Sequence, residues 1–201
     1  FLALVFAVVV GWQMQTPGLL VVFASMGLIR MVNRTTGLAA RPADSVLICL
    51  LVFWVMYAQS SPQFGLIAAV AYALDGSLNE PQRRHWVFAL LCLGGMLVYM
   101  IDHDHWLLLP AAPDNLLQWL SVLFLVIFAL NVLLLRKGNS VGDFAGKALD
   151  VTRVRSGMLI GLLVALQGLG SPRDVALVVA AIAGISVGLA FRKGFSAPTG
   201  V

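Results

Sequence analysis

From Leu116 to Leu135 the chain runs for twenty residues without a charged side chain. A helix of about 20 apolar residues matches a hydrocarbon core ~30 Å thick. A chain that holds such a run has few ways to fold unless its surroundings are apolar. The rest of the chain repeats the pattern: 60% of residues are hydrophobic, 11% are charged, and the mean hydropathy is +0.94. Soluble domains carry about 25% charged residues, and one core of this size would leave large apolar patches exposed. The expected class is an all-α, polytopic transmembrane bundle forming one integral membrane domain over residues 1–201.

Apolar runs punctuated by Pro, Gly and charge give eight candidate segments: Phe1–Gln13, Leu19–Val32, Ser45–Gln59, Phe64–Leu74, His85–Ile101, Leu116–Leu135, Ser156–Leu169 and Val175–Phe191. Phe1–Val10 is apolar without a basic region before it and reads as part of the first span, not as a signal peptide. Asp75-Gly76 reads as a turn opening a charged loop to Arg84. Residues 141–154 mix apolar and charged side chains at helical spacing, as an amphipathic segment on the membrane surface does.

If all eight segments cross, twelve of the thirteen Lys and Arg residues fall on one side and only Arg173 on the other. Cytoplasmic loops of membrane proteins carry this excess, so both termini are expected in the cytoplasm of a multi-pass protein of the bacterial inner (plasma) membrane. Several segments are short, about 22 Å for fifteen helical residues. Six spans plus a re-entrant hairpin would distribute the charges in the same way.

The densest group of ionisable side chains follows the fifth segment, in Met100-Ile101-Asp102-His103-Asp104-His105-Trp106. Asp102 and His105 share a helical face; His103 and His105 share one side of an extended strand. Asp102, His103, Asp104 and His105 can supply an acid and a base. His103, His105 and Asp114 can offer a divalent metal, zinc or another first-row ion, two imidazoles and a carboxylate. The competing reading is a polar helix end at head-group level, with Trp106 as interfacial anchor. His85 lies at the opposite end of that span. Met100-Ile101-Asp102-His103 also resembles the end of the opening helix of membrane acetyltransferases that modify conjugative pilins, where an apolar run likewise closes in an Asp-His pair. The resemblance covers about four residues, lies mid-chain here, and carries no residue role with it.

No charged residue or His falls near the middle of a predicted span, which disfavours ion-coupled transport. Asn131 and Gln167 are the polar exceptions, and each is expected to bond between helices. Gly157/Gly161 and Gly184/Gly188 have GxxxG spacing, which lets helices approach within the chain or across to another subunit or a second copy. Arg83, Arg84, Arg153 and Arg155 form basic patches suited to anionic lipid or a cytoplasmic partner. Gly94-Gly95 reads as a packing or kink site, and Cys49 and Cys92 as small buried hydrophobes. The net charge of +4 and pI near 9.5 come without a basic stripe interleaved with aromatics, so nucleic acid is not an expected partner. No nucleotide-binding, hydrolase-elbow or Cys-x-x-Cys motif occurs.

These features favour a non-catalytic integral membrane subunit, a scaffold, assembly or anchoring component of a larger complex in contact with membrane lipids. The alternative is a membrane-embedded enzyme acting on a lipid or lipid-linked substrate at the outer face through Asp102–His105. A second alternative is a small transporter or channel lined by Asn131 and Gln167.

Overall fold

The computed structural model describes residues 19–34, 38–104, 116–135 and 150–168. Among these residues the fold is all helical, with six helices and no strands: α1 (Leu19–Asn33), α2 (Pro42–Ala58), α3 (Gln63–Ser77), α4 (His85–His103), α5 (Leu116–Leu134) and α6 (Val151–Gly168). The expected first and eighth spans lie outside the described residues, as does the Gly184/Gly188 pair. One described helix, α4, is long and apolar enough to cross a membrane; Leu20–Asn33, Pro42–Ala58 and Trp119–Leu134 are shorter apolar stretches.

Helix α3 is the hub. It packs on α1, α2, α4 and α6, while α5 meets the bundle through α6. Its sequence explains the role. Ala68, Ala69 and Ala71 are buried and small, so four neighbours can approach, and Phe64, Ile67 and Tyr72 fill the space between them. Leu28 and Val32 of α1, Val52 and Met56 of α2, Cys92 and Met96 of α4, and Ile160 and Val164 of α6 close the same core. A smaller cluster of Leu125, Phe128 and Val132 on α5 packs on Ala165.

Several helix ends extend beyond the sequence-based boundaries. α2 starts at Pro42, because proline fits the first helical turn, and Asp44 accepts the Arg41 backbone N–H at 3.1 Å. α3 continues through Asp75-Gly76 to Ser77. The Asp75 carboxylate is engaged inside the bundle and so does not make the turn its local sequence suggests. α6 starts at Val151, so Val151–Val154 belongs to a packed helix; residues 141–149 of the expected surface segment lie outside the described residues. Asp150 caps α6, accepting the Thr152 N–H at 2.8 Å.

Glycines set three of the contacts. Gly157 faces Asn33 and Gly161 faces Ile29, so this GxxxG face is occupied by α1 of the same chain. Gly65 sits against Met56 and Met96. Gly95 lies under the Phe53 ring, whereas Gly94 faces open space. The Gly94-Gly95 pair is thus a packing site between α2 and α4. Gly95→Ala is expected to destabilise the fold by about 1–3 kcal/mol, because Phe53 must leave its rotamer. Gly94→Ala should be neutral or stabilise by roughly 0.5–1 kcal/mol through helix propensity. Thermal unfolding of both variants in detergent, with Phe53→Leu added to Gly95→Ala to recover part of the loss, checks this pair.

Candidate functional site

Three side chains that lie far apart in sequence, Arg34, His85 and Arg153, converge on one carboxylate. Asp75, in the last turn of α3, is fully buried. Its Oδ1 accepts from Arg153 Nη1 at 2.5 Å and from Arg34 Nε at 3.3 Å. Its Oδ2 lies 2.7 Å from His85 Nδ1, and neither of these two atoms has another polar partner. On the far side of the imidazole, His85 Nε2 is 2.8 Å from Ser45 Oγ. Tyr72 donates its hydroxyl to the Ser45 carbonyl at 2.6 Å, and its ring meets the His85 ring edge-on at 5.4 Å.

Both arginines also terminate helices. Arg153 Nη1 donates to the Val32 carbonyl at 3.2 Å, and its Nε and Nη2 both reach the Asn79 carbonyl. A cation at the C-terminal end of α1 also meets the negative pole of that helix. Arg34 lies in the left-handed region at φ 49°, ends α1, and donates to the Glu80 side chain at 3.2 Å and the Glu80 carbonyl at 2.8 Å. Glu80 is left-handed as well, at φ 55°. A non-glycine residue in this region costs roughly 1–2 kcal/mol, and both residues so placed here are partners in the network. Asn79 ties the same loop to the cap of α6 through Asp150 Oδ2 at 2.6 Å.

Burial pushes the Asp75 carboxyl up. The hydrogen bonds from His85 and Arg153, with the charges of Arg34 and Arg153, outweigh it and hold the group below the ordinary carboxylate range. The carboxylate therefore stays ionised and the arginines stay neutralised. The Ser45–His85–Asp75 chain has the contacts of a nucleophile, a base and an orienting carboxylate. That chain is enclosed within the bundle. All three residues are fully buried, Ser45 Oγ also lies 3.2 Å from the Arg41 carbonyl, and two guanidiniums already compensate the charge that Asp75 would lend an imidazolium. The arrangement joins α1, α2, α3, α4 and α6 at one end of the bundle.

The Asp102–His105 group lies at the other end of α4. Asp102 is 74% exposed and His103 41%, with His103 Nδ1 3.3 Å from Asp102 Oδ2. The His103 ring stacks on Tyr99 with centroids 4.1 Å apart and meets Tyr57 edge-on at 6.4 Å. Asp104 ends the helix in a left-handed conformation. His105 and Asp114 lie outside the described residues. Among the described residues no three His, Cys, Asp or Glu side chains form a group able to hold a metal.

The other polar residues act close to home. Asn131 donates to the Ile127 carbonyl of its own helix at 2.9 Å, not to a neighbour as expected, because its backbone acceptor is one turn away. Gln167 bonds Ser61 in the turn between α2 and α3. Arg84 donates to the Ala40 carbonyl and Arg155 to the carbonyls of Val132 and Leu133 at the end of α5. Arg153 is buried, and Arg83 alone of the four patch arginines is exposed without a side-chain partner. Cys49 and Cys92 are free thiols with sulfurs 3.9 Å apart between α2 and α4.

Asp75→Asn leaves the buried Arg153 guanidinium without a carboxylate and Arg34 with only the exposed Glu80, and is expected to cost about 3–5 kcal/mol, with Arg153→Met in the same chain recovering part of that loss. Unfolding midpoints and membrane accumulation of the single and double variants test this. Because the Asp75 pKa is depressed in the fold, its contribution is fully present above the unfolded carboxyl value near ~4 and is lost as pH falls through the lower folded value. Melts from pH 7 to pH 3 should hold level and then drop at the acid end, with a shallower acid limb in the Asp75→Asn/Arg153→Met chain.

Comparison with family models, curated proteins and solved structures finds no match to this chain, so the roles of these groups rest on their geometry and chemistry alone.

Proposed function

We propose that the chain is a non-catalytic integral membrane subunit, a scaffold or assembly component of a larger complex, with several helices crossing the bacterial inner membrane and both termini cytoplasmic. One contrast carries this reading. The buried ionisable groups are neutralised by partners within the chain, whereas the outward faces carry large apolar side chains such as Phe23, Leu47, Trp54, Leu90, Val98 and Leu133. Outward apolar surface on this scale suits lipid or other membrane helices. An interior whose charges are mutually satisfied suits a body that keeps its shape.

A specific observation supports a second reading. Asp102 and His103 are exposed beside Tyr57 and Tyr99, a polar and aromatic group at the end of α4 that could act on a lipid-linked substrate. Transport is less well supported, because the amide NH2 groups of Asn131 and Gln167 both donate within the chain.

Native mass spectrometry of the protein, extracted gently from its own membrane, separates the readings. The subunit reading expects added mass from other polypeptides, unchanged by His103→Ala. A lone chain carrying a lipid or metal that is lost in His103→Ala would replace it with the enzyme reading.

A further inference from the structure

The chain holds two cysteines in 201 residues, and the two touch each other. Cys49 of α2 and Cys92 of α4 are 43 residues apart in sequence, with their sulfurs 3.9 Å apart, and both are free thiols. A thiol that serves only as a small core side chain needs carbon around it, and alanine or valine fills such space as well. Each sulfur here instead meets the one other group in the chain with which it can form a reversible covalent bond.

The seam around the pair is fixed on both sides. Toward the start of the two helices, Ser45 Oγ lies 2.8 Å from His85 Nε2. Toward their ends, the Phe53 ring of α2 covers Gly95 of α4 and leaves no room for a Cβ. Ser45 is one turn from Cys49, and Gly95 is one turn from Cys92. The helices thus come close right beside the sulfurs, and close backbones are what a disulfide requires, with Cα atoms about 4.4–6.8 Å apart. Bonded sulfurs are ~2.05 Å apart, so this pair has about 1.9 Å to close. Rotation about the two Cα–Cβ bonds can cover that gap while the helices stay in place. The two sulfurs are also unequal. Cys49 is 5% exposed, with Val46 and Leu50 exposed near it, and Cys92 is 0% exposed. A small uncharged oxidant reaches Cys49 first, and Cys92 stands behind it as the resolving thiol.

We propose that Cys49 and Cys92 are a redox-modification site, forming a reversible intrachain disulfide that ties α2 to α4 when the chain meets hydrogen peroxide. The Cys49 sulfur attacks one peroxide oxygen and the O–O bond breaks. The released hydroxide leaves with the thiol proton as water, and Cys49 becomes a sulfenic acid. The Cys92 sulfur then attacks the Cys49 sulfur. The S–S bond forms, the S–O bond breaks, and the hydroxyl leaves with the Cys92 proton as a second water. Two thiols are oxidised and one peroxide is reduced to two waters. A dithiol reverses the bond by exchange.

The test is a peroxide titration of the reduced full chain in detergent, read by intact mass, non-reducing peptide mapping and thermal unfolding. The folded chain is expected to lose two hydrogens in mass, to yield a linked Cys49–Cys92 peptide, and to recover both thiols with dithiothreitol. Its unfolding midpoint should rise by about 5–10 °C on oxidation, because the bond closes a loop of 43 residues. Neither Cys49→Ser nor Cys92→Ser should show this rise. In Cys92→Ser, Cys49 should accumulate as a sulfenic acid that dimedone traps, whereas in Cys49→Ser the enclosed Cys92 should resist. Thiols that stay free in the folded chain and link only after unfolding in urea overturn the site. So do a bond formed between two chains, oxidation of Cys49 beyond sulfenic acid without a linked peptide, and a linked chain that melts at or below the reduced one.

Discussion

The bundle depends on one buried ion cluster that cannot be broken piecemeal. Asp75 is held by Arg153 and Arg34 at a point where no water reaches it. Taking three ions out of water costs several kcal/mol for each, and their mutual attraction offsets this only when every remaining donor is also satisfied. That condition explains the rest of the local structure. The spare N–H groups of the arginines turn to the carbonyls of Val32, Asn79 and Glu80, which are helix-end or loop acceptors that need donors anyway. The left-handed backbone at Arg34 goes with the same demand, since it ends α1 and its side chain turns back to Asp75.

Small residues make that convergence geometrically available. Side chains from α1, α4 and α6 cannot reach one carboxylate on α3 unless the helix axes are close, and closeness comes from Gly65, Ala68, Ala69 and Ala71 on the hub helix, from Gly95 between α4 and α2, and from Gly157 between α6 and α1. Polar pairing and close packing therefore depend on each other here. Packing excludes the water that would weaken the ion pairs, and the ion pairs fix the ends of helices whose apolar faces alone would allow sliding.

Helix positions were legible in the sequence because apolar runs mark them, and the described helices fall on six of those runs. Their ends were not, because local signals lose to distant partners. Asp75-Gly76 has the composition of a turn, yet Arg34 and Arg153, 41 and 78 residues away, hold the aspartate in a helix. The usable signal was present in another form. Arg34, Asp75, His85 and Arg153 sit close to ends of apolar runs and Glu80 in the loop between two of them, and charge counting places the charged ones on the same side. Treating them as potential partners of one another, and not as separate loop charges, would have located the network. The Asp102–His105 cluster drew attention because its members are adjacent in sequence. Residues made to meet in space have no need to be adjacent.

The two ends of α4 show what this difference means for function. At its start, His85 is fully enclosed, with both ring nitrogens in contact with Asp75 and Ser45, so its surroundings are set by the fold. At its end, His103 is 41% exposed and rests on Tyr99, with a carboxylate that is itself mostly in solvent. A side chain enclosed by its own chain contributes to shape. One left at the surface beside aromatic rings retains the freedom to meet something else. The same distinction separates Arg34 and Arg153, whose donors are engaged, from Arg30 and Arg41, which are exposed. Where this chain meets its surroundings is therefore better read from charges the fold leaves unpaired than from charges it gathers.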